Sequence, residues 1–386
     1  MSVEKVPGLD PDRLRHLQRV MLEDVARGDY FGGVVIVARH GKVGLHVAFG
    51  HADEAKTMEV KRDSVFSIFS VTKALTTVLT LRAIELGQLA LTTRIREIIP
   101  EFSGGLRDEV TLYHLLTHSS GCPSVYEAKP GMYIDRLDEV IAAICENIQC
   151  EVPPGVRVDY SPLVSHALMG EMVRRVDPKG RRYKQILQEE IFDPLNMHDS
   201  SMGLRRDLKP RHLKPEPRGQ FRVNHLGHSN LGPNGAFEEE DVEMPWVGCA
   251  STAESFFRFV EMLRRGGELD GARILSPTML RHARRNQTGD KPNEVYKKLC
   301  EANGWPVLPA YIGLGFPLRG EAFGNHYYGT LSSPETFGAY GAGTTVFWVD
   351  PELDISFLAF TTGVMAPALN YMRFRKLSDI AISAAV

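Results

Sequence analysis

The sequence predicts an α+β fold in which both ends of the chain build one antiparallel sheet, flanked by terminal helices. A mainly helical lobe is inserted between those ends. Three observations predict it. Two strand–turn–strand patterns lie far apart, at residues 32–49 and 346–360, and each reads as an antiparallel pair. Between about residues 90 and 245 the apolar spacing is helical instead. A chain of 386 residues also exceeds what one hydrophobic core usually serves, so two lobes are expected. The sheet lobe is placed at residues 1–66 and 250–386, the helical lobe at 67–249, and a site between them.

The elements follow in order. Residues 10–27 put Leu14, Leu17, Val20, Met21, Leu22 and Val25 on one side of a helix, with Asp10 or Asp12 near its start. Residues 32–38 read as a buried strand, His40-Gly41-Lys42 as a tight turn, and 43–49 as the returning strand. A helix then begins near Ser70 and ends near Leu86-Gly87. Residues 64–81 are apolar or hydroxylic throughout except for Lys73, so that helix is expected to be buried on most sides. Residues 110–121 read as a short helix closed by a glycine turn, and 137–148, 165–176 and 183–192 as further helices. Residues 202–244 have little periodicity and read as a loop over a cleft or a lid. Ser251-Thr252-Ala253-Glu254 reads as a capping box opening a helix through Leu263, which Gly266-Gly267 ends. Strand-like segments return at 311–316, 346–349 and 355–360, and a last helix covers about 368–383.

The chemistry begins at Ser70 and Lys73. Three residues apart on a helix, they share one face. Burial disfavours an ammonium, so the lysine pKa is expected to be depressed. A neutral amine beside a serine hydroxyl can take its proton and make the serine a nucleophile. The four-residue pattern is weak on its own: it recurs at Ser2-Val3-Glu4-Lys5, and Lys73 also reads as a snorkelling side chain. Competing motifs are weaker still. Gly227-His228-Ser229-Asn230-Leu231 approaches a nucleophile elbow but lacks the final glycine and a preceding strand. His225 and His228 have a metal-like spacing without further ligands, and read as loop histidines at the cleft mouth. His114, His118 and the acidic run 238–241 read as structural or solvated.

Composition narrows the partners. With 24% charged residues and a net charge of -3, nothing suggests nucleic acid, and the basic run 205–218 is broken by prolines and acids. No apolar run reaches membrane-span length, so no membrane partner is expected. The first residues lack the basic-then-apolar layout of a secretory signal. Cys122, Cys145, Cys150, Cys249 and Cys300 have no Cys-x-x-Cys spacing, and read as reduced, mostly buried thiols of a cytoplasmic protein.

Six segments carry a resemblance. They are Phe69-Ser70-Val71-Thr72-Lys73; Leu115-Leu116-Thr117-His118-Ser119-Ser120-Gly121; the stretch from Pro153-Pro154-Gly155 to Asp159-Tyr160-Ser161; Ile191-Phe192-Asp193-Pro194-Leu195-Asn196-Met197; Ser251-Thr252-Ala253-Glu254; and Phe337-Gly338-Ala339-Tyr340-Gly341-Ala342-Gly343 ahead of Trp348-Val349-Asp350-Pro351. Together, and in the same order, they resemble the serine β-lactamase and penicillin-binding-protein-like family, in its esterase and transacylase branch. The likeness spans about residues 30–365. It implies that family's fold, Ser70 as nucleophile, Lys73 as its base partner and Tyr160 as a proton relay. It also implies an oxyanion hole from the backbone N–H groups of Ser70 and Ala342, and substrate contacts at Tyr340 and Gly341. An acyl transfer needs such a nucleophile, a proton shuttle and donors aimed at the developing oxyanion.

Two departures shape the expected activity. Where the family's lactamases and peptidases place an Asn two residues after the tyrosine, this chain has Pro162, which cannot hydrogen-bond a substrate amide through its side chain. Where they place a Lys or His at the head of the third motif, it has Ala339, which offers no cation to a substrate carboxylate. The expected activity is therefore acyl-enzyme catalysis on an ester or thioester donor bound by apolar contacts. Water, an alcohol or an amine is the acceptor, as in a carboxylesterase or an acyltransferase of natural-product metabolism, and no cofactor or metal is expected. The alternatives are a D-amino-acid peptidase or β-lactamase, and a non-catalytic relative that only binds a ligand.

Overall fold

The computed structural model describes residues 3–219, 224–342 and 345–386. Ser2 of the second Ser-x-x-Lys match, residues 220–223 of the 202–244 stretch and Gly343 of the sixth motif lie outside them. The chain opens with α1 (Pro11–Ala26), capped by the Asp10 carboxylate, which accepts from Asp12 N at 2.8 Å. The hairpin β1 (Gly32–Arg39) and β2 (Lys42–Gly50) follows, then the short β3 (Val65–Ser67) and α2 (Thr72–Glu85). Next come α3 (Ile95–Ile98), α4 (Leu112–Leu116), α5 (Leu137–Asn147), α6 (Val164–Val176) and α7 (Tyr183–Leu187). Short strands β4 (Ser200–Met202), β5 (His212–Leu213) and β6 (Cys249–Thr252) lead into α8 (Ala253–Arg264). A small hairpin, β7 (Glu268–Leu269) and β8 (Ala272–Arg273), precedes α9 (Pro277–Ala283) and α10 (Glu294–Ala302). The chain closes with β9 (Phe337–Gly341), β10 (Thr345–Asp350), β11 (Ile355–Thr362) and α11 (Pro367–Ile382).

The main sheet has the order β2-β1-β11-β10-β9, all antiparallel. Both chain ends meet where β1 pairs β11, Val35 opposite Ala359. β1 is buried along nearly its whole length because both faces of the sheet are covered, which explains its unbroken apolar run. Val35 and Val37 pack with Leu14, Leu17, Trp348 and Phe374 under α1 and α11. Val34 and Ile36 point the other way, into the larger core with Phe256, Phe259 and Phe347. Two-residue alternation thus sends one strand's side chains into two cores. α8 lies against β1, β10 and β11 on that second face, and α2 runs beside α6 deeper in the same core.

The structure corrects several expectations. Leu22 is 45% exposed, while Asp24 is buried in its stead and holds Lys376 Nζ at 2.8 Å. Residues 311–316 are no strand: Tyr311 has φ 45°, Gly315 has φ 79°, and Gly313 N–H bonds Phe316 O in a tight turn. The cap of α8 sits one residue later than the capping box placed it. Thr252 Oγ1 accepts from Ser255 N at 3.1 Å, and Ser251 belongs to β6 with its hydroxyl on Ser200. The helix expected at 183–192 widens into a π turn at Gln188–Phe192. Only Cys122 and Cys249 of the five free cysteines are buried, and Cys122 Sγ lies 3.2 Å from Cys150 Sγ. Within 202–244 Leu204, Leu208, Leu213 and Phe237 are buried, while Leu231 is 47% exposed. Among the described residues no helix is long and apolar enough to cross a membrane.

A second, four-stranded sheet in the order β4-β6-β3-β5 was not expected. Through it β3, just before Ser70, pairs β6, just before α8. It anchors the entry to the Ser70 turn from both sides.

Candidate active site

Ser70 sits in a 3-10 turn, Phe69–Val71, that leads into α2. Phe69 has φ 50°, a left-handed conformation that a bulky residue rarely adopts. Packing holds it there: the Phe69 ring lies 4.8 Å from that of Phe237. Lys73, one turn on, is 5% exposed, and its Nζ lies 3.1 Å from Ser70 Oγ. The amine also donates to the Trp246 carbonyl at 2.9 Å. Burial without a paired carboxylate pushes its pKa well below the usual lysine value.

Tyr160 arrives from the segment before α6, and its hydroxyl lies 3.0 Å from Ser70 Oγ. Two contacts fix its backbone: Tyr160 N–H donates to Asn293 Oδ1 at 3.2 Å, and Ser124 Oγ donates to Tyr160 O at 2.7 Å. Burial raises the phenol pKa, and the Ser70 contact offsets this only in part. Ser161 N–H donates to His118 Nδ1 at 3.1 Å. The His118 proton is therefore on Nε2. Burial and the neighbouring Lys73 push this imidazole down to about 3, so it is neutral. His166, beside it at 5.6 Å between ring centroids, is likewise buried and pushed down.

The loop after α4 depends on Gly121. Its φ is 77°, and a Cβ there would meet Val152 O at 2.1 Å. Gly121→Ala is expected to cost about 2 kcal/mol or more, combining left-handed strain with a backbone clash. A urea unfolding midpoint no lower than that of the unaltered protein would contradict this.

β9 forms the opposite wall. A Cβ on Gly341 would lie 2.7 Å from Ile68 O and 3.0 Å from Phe69 Cβ, so the strand passes directly against the turn that carries Ser70. Thr345 Oγ1 donates to the same Ile68 carbonyl at 2.9 Å. Ala342 lines a cavity together with Ser70, and Tyr340 lines both cavities that meet at the serine. The Tyr340 ring stacks on Tyr327 at 5.1 Å. Ala339 faces the cavity with only a methyl group, and Pro162 is buried.

The six sequence-derived residues thus gather at one place. Others were missed: the Trp246 carbonyl, His166, and the rings of Tyr296 on α10, Tyr327 and Tyr371 on α11. His118, read as structural, lines the cavity as well. The histidines at 225 and 228 are not at the cleft mouth. His225 is buried behind Phe69 and Phe237, and His228 bonds the Asp135 carboxylate at 2.7 Å. Ser229 of the elbow-like motif lies in a turn with neither strand nor helix around it. His114 accepts from Thr111 N–H at the start of α4, a structural task as read.

Comparison with known proteins places the chain in a family. The family model described as Beta-lactamase matches residues 17–377. The chain belongs to that family. Esterase EstB of Burkholderia gladioli is 28% identical over 286 residues, covering 67% of this chain and 70% of its own. Penicillin-binding protein 4 of Amycolatopsis lactamdurans is 28% identical over 273 residues, covering 68% of each. Among solved structures, "EstCE1, a hydrolase with promiscuous acyltransferase activity" superposes with a TM-score of 0.75 at 21% identity, over 95% of this chain and 98% of that one. The fold is that of penicillin-binding-protein homologues and β-lactamases, as the sequence predicted.

Proposed function

We propose that this protein is a serine acyl-transfer enzyme acting on an ester or thioester, as a carboxylesterase or a transacylase of the Ser-x-x-Lys type. One observation carries the reading: Ser70 Oγ lies within hydrogen-bond reach of both a buried lysine amine and a tyrosine hydroxyl. With one N–H donated to Trp246 O, the neutral Lys73 amine can turn its lone pair to the serine. Ser70 gives its proton to that amine as its oxygen attacks the carbonyl, and Tyr160 relays the proton to the departing oxygen. The N–H groups of Ser70 and Ala342 receive the oxyanion. Tyr340 and Gly341 border the substrate. Water, an alcohol or an amine then releases the acyl group.

Support for an ester or thioester over a peptide or lactam comes from Pro162 and Ala339, which supply no side-chain donor or cation. The relative named Esterase EstB points the same way. The proposal keeps the division into a lobe of residues 1–66 and 250–386 and a helical lobe of 67–249. It also keeps a cytoplasmic setting, which suits five unpaired cysteines.

The test is intact mass after exposure to an activated short-chain ester. An acyl adduct is expected on the unaltered protein and none on Ser70→Ala. No adduct on a folded protein would revive a cleft that only binds. Turnover of a chromogenic cephalosporin at rates matching ester turnover would favour the lactamase reading.

A further inference from the structure

Two cavities share Ser70, Tyr160, Tyr296, Tyr340 and Tyr371, and they differ in size and lining. The inner one is about 70 Å³ and runs past Lys73, His118 and His166. The outer one is about 350 Å³ and runs past Ala342, Tyr126, Leu299 and Pro367 without touching Lys73. From this we infer that the protein prefers esters of a bulky aryl or alkyl acid with a small alcohol: the alcohol side occupies the inner cavity and the acyl substituent the outer. The inference rests on the acyl-transfer reading above and names its substrate class.

The assignment of sides follows from the protons. As the Ser70 Oγ–carbonyl bond forms, Lys73 holds the serine proton. When the ester C–O bond breaks, that proton must reach the leaving oxygen, which departs as the alcohol. In the second half, water or another acceptor loses a proton at the same place, the acyl group leaves with it, and Ser70 regains its hydrogen. Tyr160, the relay, lines both cavities, whereas Lys73, which stores the proton, lines only the inner one, and this places the leaving and entering oxygen on the inner side. The carbonyl's other substituent is directed away from it, past the Ala342 backbone.

Size agrees with that order. The inner cavity has room for a few waters or a methyl- to ethyl-sized alcohol. Its lining includes His166, whose buried Nδ1 has no hydrogen-bond partner among the described residues, and His118, whose Nε2 carries a proton. Neutral imidazoles suit a hydroxyl or water and do not demand a charge. The outer cavity falls in the range of about 300–1,000 Å³ that organic ligands occupy. Tyr126, Leu299 and Pro367 line only the outer cavity and add flat apolar walls to the shared tyrosine rings, while the inner cavity has apolar walls of its own in Leu308, Ile312 and Pro317.

Two isomeric esters test it, because methyl phenylacetate and benzyl acetate contain the same atoms and neither alcohol is activated. The expected result is that kcat/KM for methyl phenylacetate exceeds that for benzyl acetate by about tenfold or more. Leu299→Trp, which fills the outer cavity, should lower turnover of methyl phenylacetate relative to methyl acetate by a similar factor. Ile312→Ala, which enlarges only the inner cavity, should move the isomer ratio toward benzyl acetate. Equal turnover, a preference for benzyl acetate, or turnover of neither isomer by a protein whose Ser70 still accepts an activated acyl group overturns the inference. Failure of every ester to acylate Ser70 overturns the acyl-transfer reading instead.

Discussion

Lys73→Met is expected to lower kcat/KM for ester cleavage by about 10²–10⁴-fold, while changing stability in a way that depends on pH. Burial pushes the Lys73 amine well below its ordinary value of 10.5. Between the depressed folded pKa and 10.5, the unfolded chain binds a proton that the folded protein refuses. Over that window the stability of the unaltered protein rises with pH, since the unfolded state holds more protons. Methionine binds none in either state. The variant's advantage is therefore full below the folded pKa, shrinks as pH climbs toward 10.5 and is gone above it. One cost is constant: the Trp246 carbonyl loses its donor, worth about 1 kcal/mol. Urea midpoints of both proteins at pH 7 and pH 10 decide the matter. The gap should move in favour of the unaltered protein as pH rises, and a pH-independent gap would mean that Lys73 is not held neutral by burial. The activity of the unaltered protein should show the same group as an acid limb lying well below 10.5.

Much of this site was legible because its parts are local. Ser70 and Lys73 are three residues apart, and a run without a polar stripe says that the helix carrying them is buried on most sides, as it is from Thr72 to Leu81. The β1–β2 and β10–β11 hairpins announced themselves through tight turns between apolar runs, and both are there. What stayed hidden has physical causes. β3, β4, β5 and β6 have four residues or fewer, too short for any alternation to register, so the second sheet left no pattern. Residues 311–316 are apolar enough to pass for a strand, but left-handed backbone at Tyr311 and Gly315 folds them into a turn. The capping box at residue 251 met two adjacent hydroxyl residues, and strand pairing to Ser200 decided which one caps.

The missing site residues share another cause. The Lys73 partner is a main-chain carbonyl 173 residues away, and a carbonyl has no residue type by which to find it. Tyr296 and Tyr371 reach the cavity from α10 and α11, elements that come near Ser70 only through folding. His118 was visible in its motif, yet its contact to the Ser161 N–H and its place beside Tyr160 required coordinates. A signal did exist: tyrosines cluster late in the chain, at 296, 311, 327, 328, 340 and 371, and four of them, 296, 327, 340 and 371, line the inner cavity. Buried tyrosine hydroxyls need partners, so such a cluster points to a surface that meets ligand.

Tyr160→Phe is expected to lower kcat by on the order of 10²–10³-fold with KM little changed, because the hydroxyl matters only once protons move. The ring should stay in place, held by His118 at 5.2 Å and Tyr296 at 6.3 Å between centroids. What disappears is the single contact to Ser70 Oγ. The size of the loss distinguishes two roles. Burial keeps the phenol protonated far above neutrality, so it hands a proton on and does not act as a phenolate base. Under that role Lys73 still activates Ser70 in the variant: an acyl adduct forms slowly and the acid limb set by Lys73 persists. Were Tyr160 the base itself, the variant would be as unreactive as Ser70→Ala and the limb would vanish with it. Acylation followed by intact mass across pH 5–9 separates the two. A raised KM at unchanged kcat would sink both, reducing Tyr160 to a substrate contact.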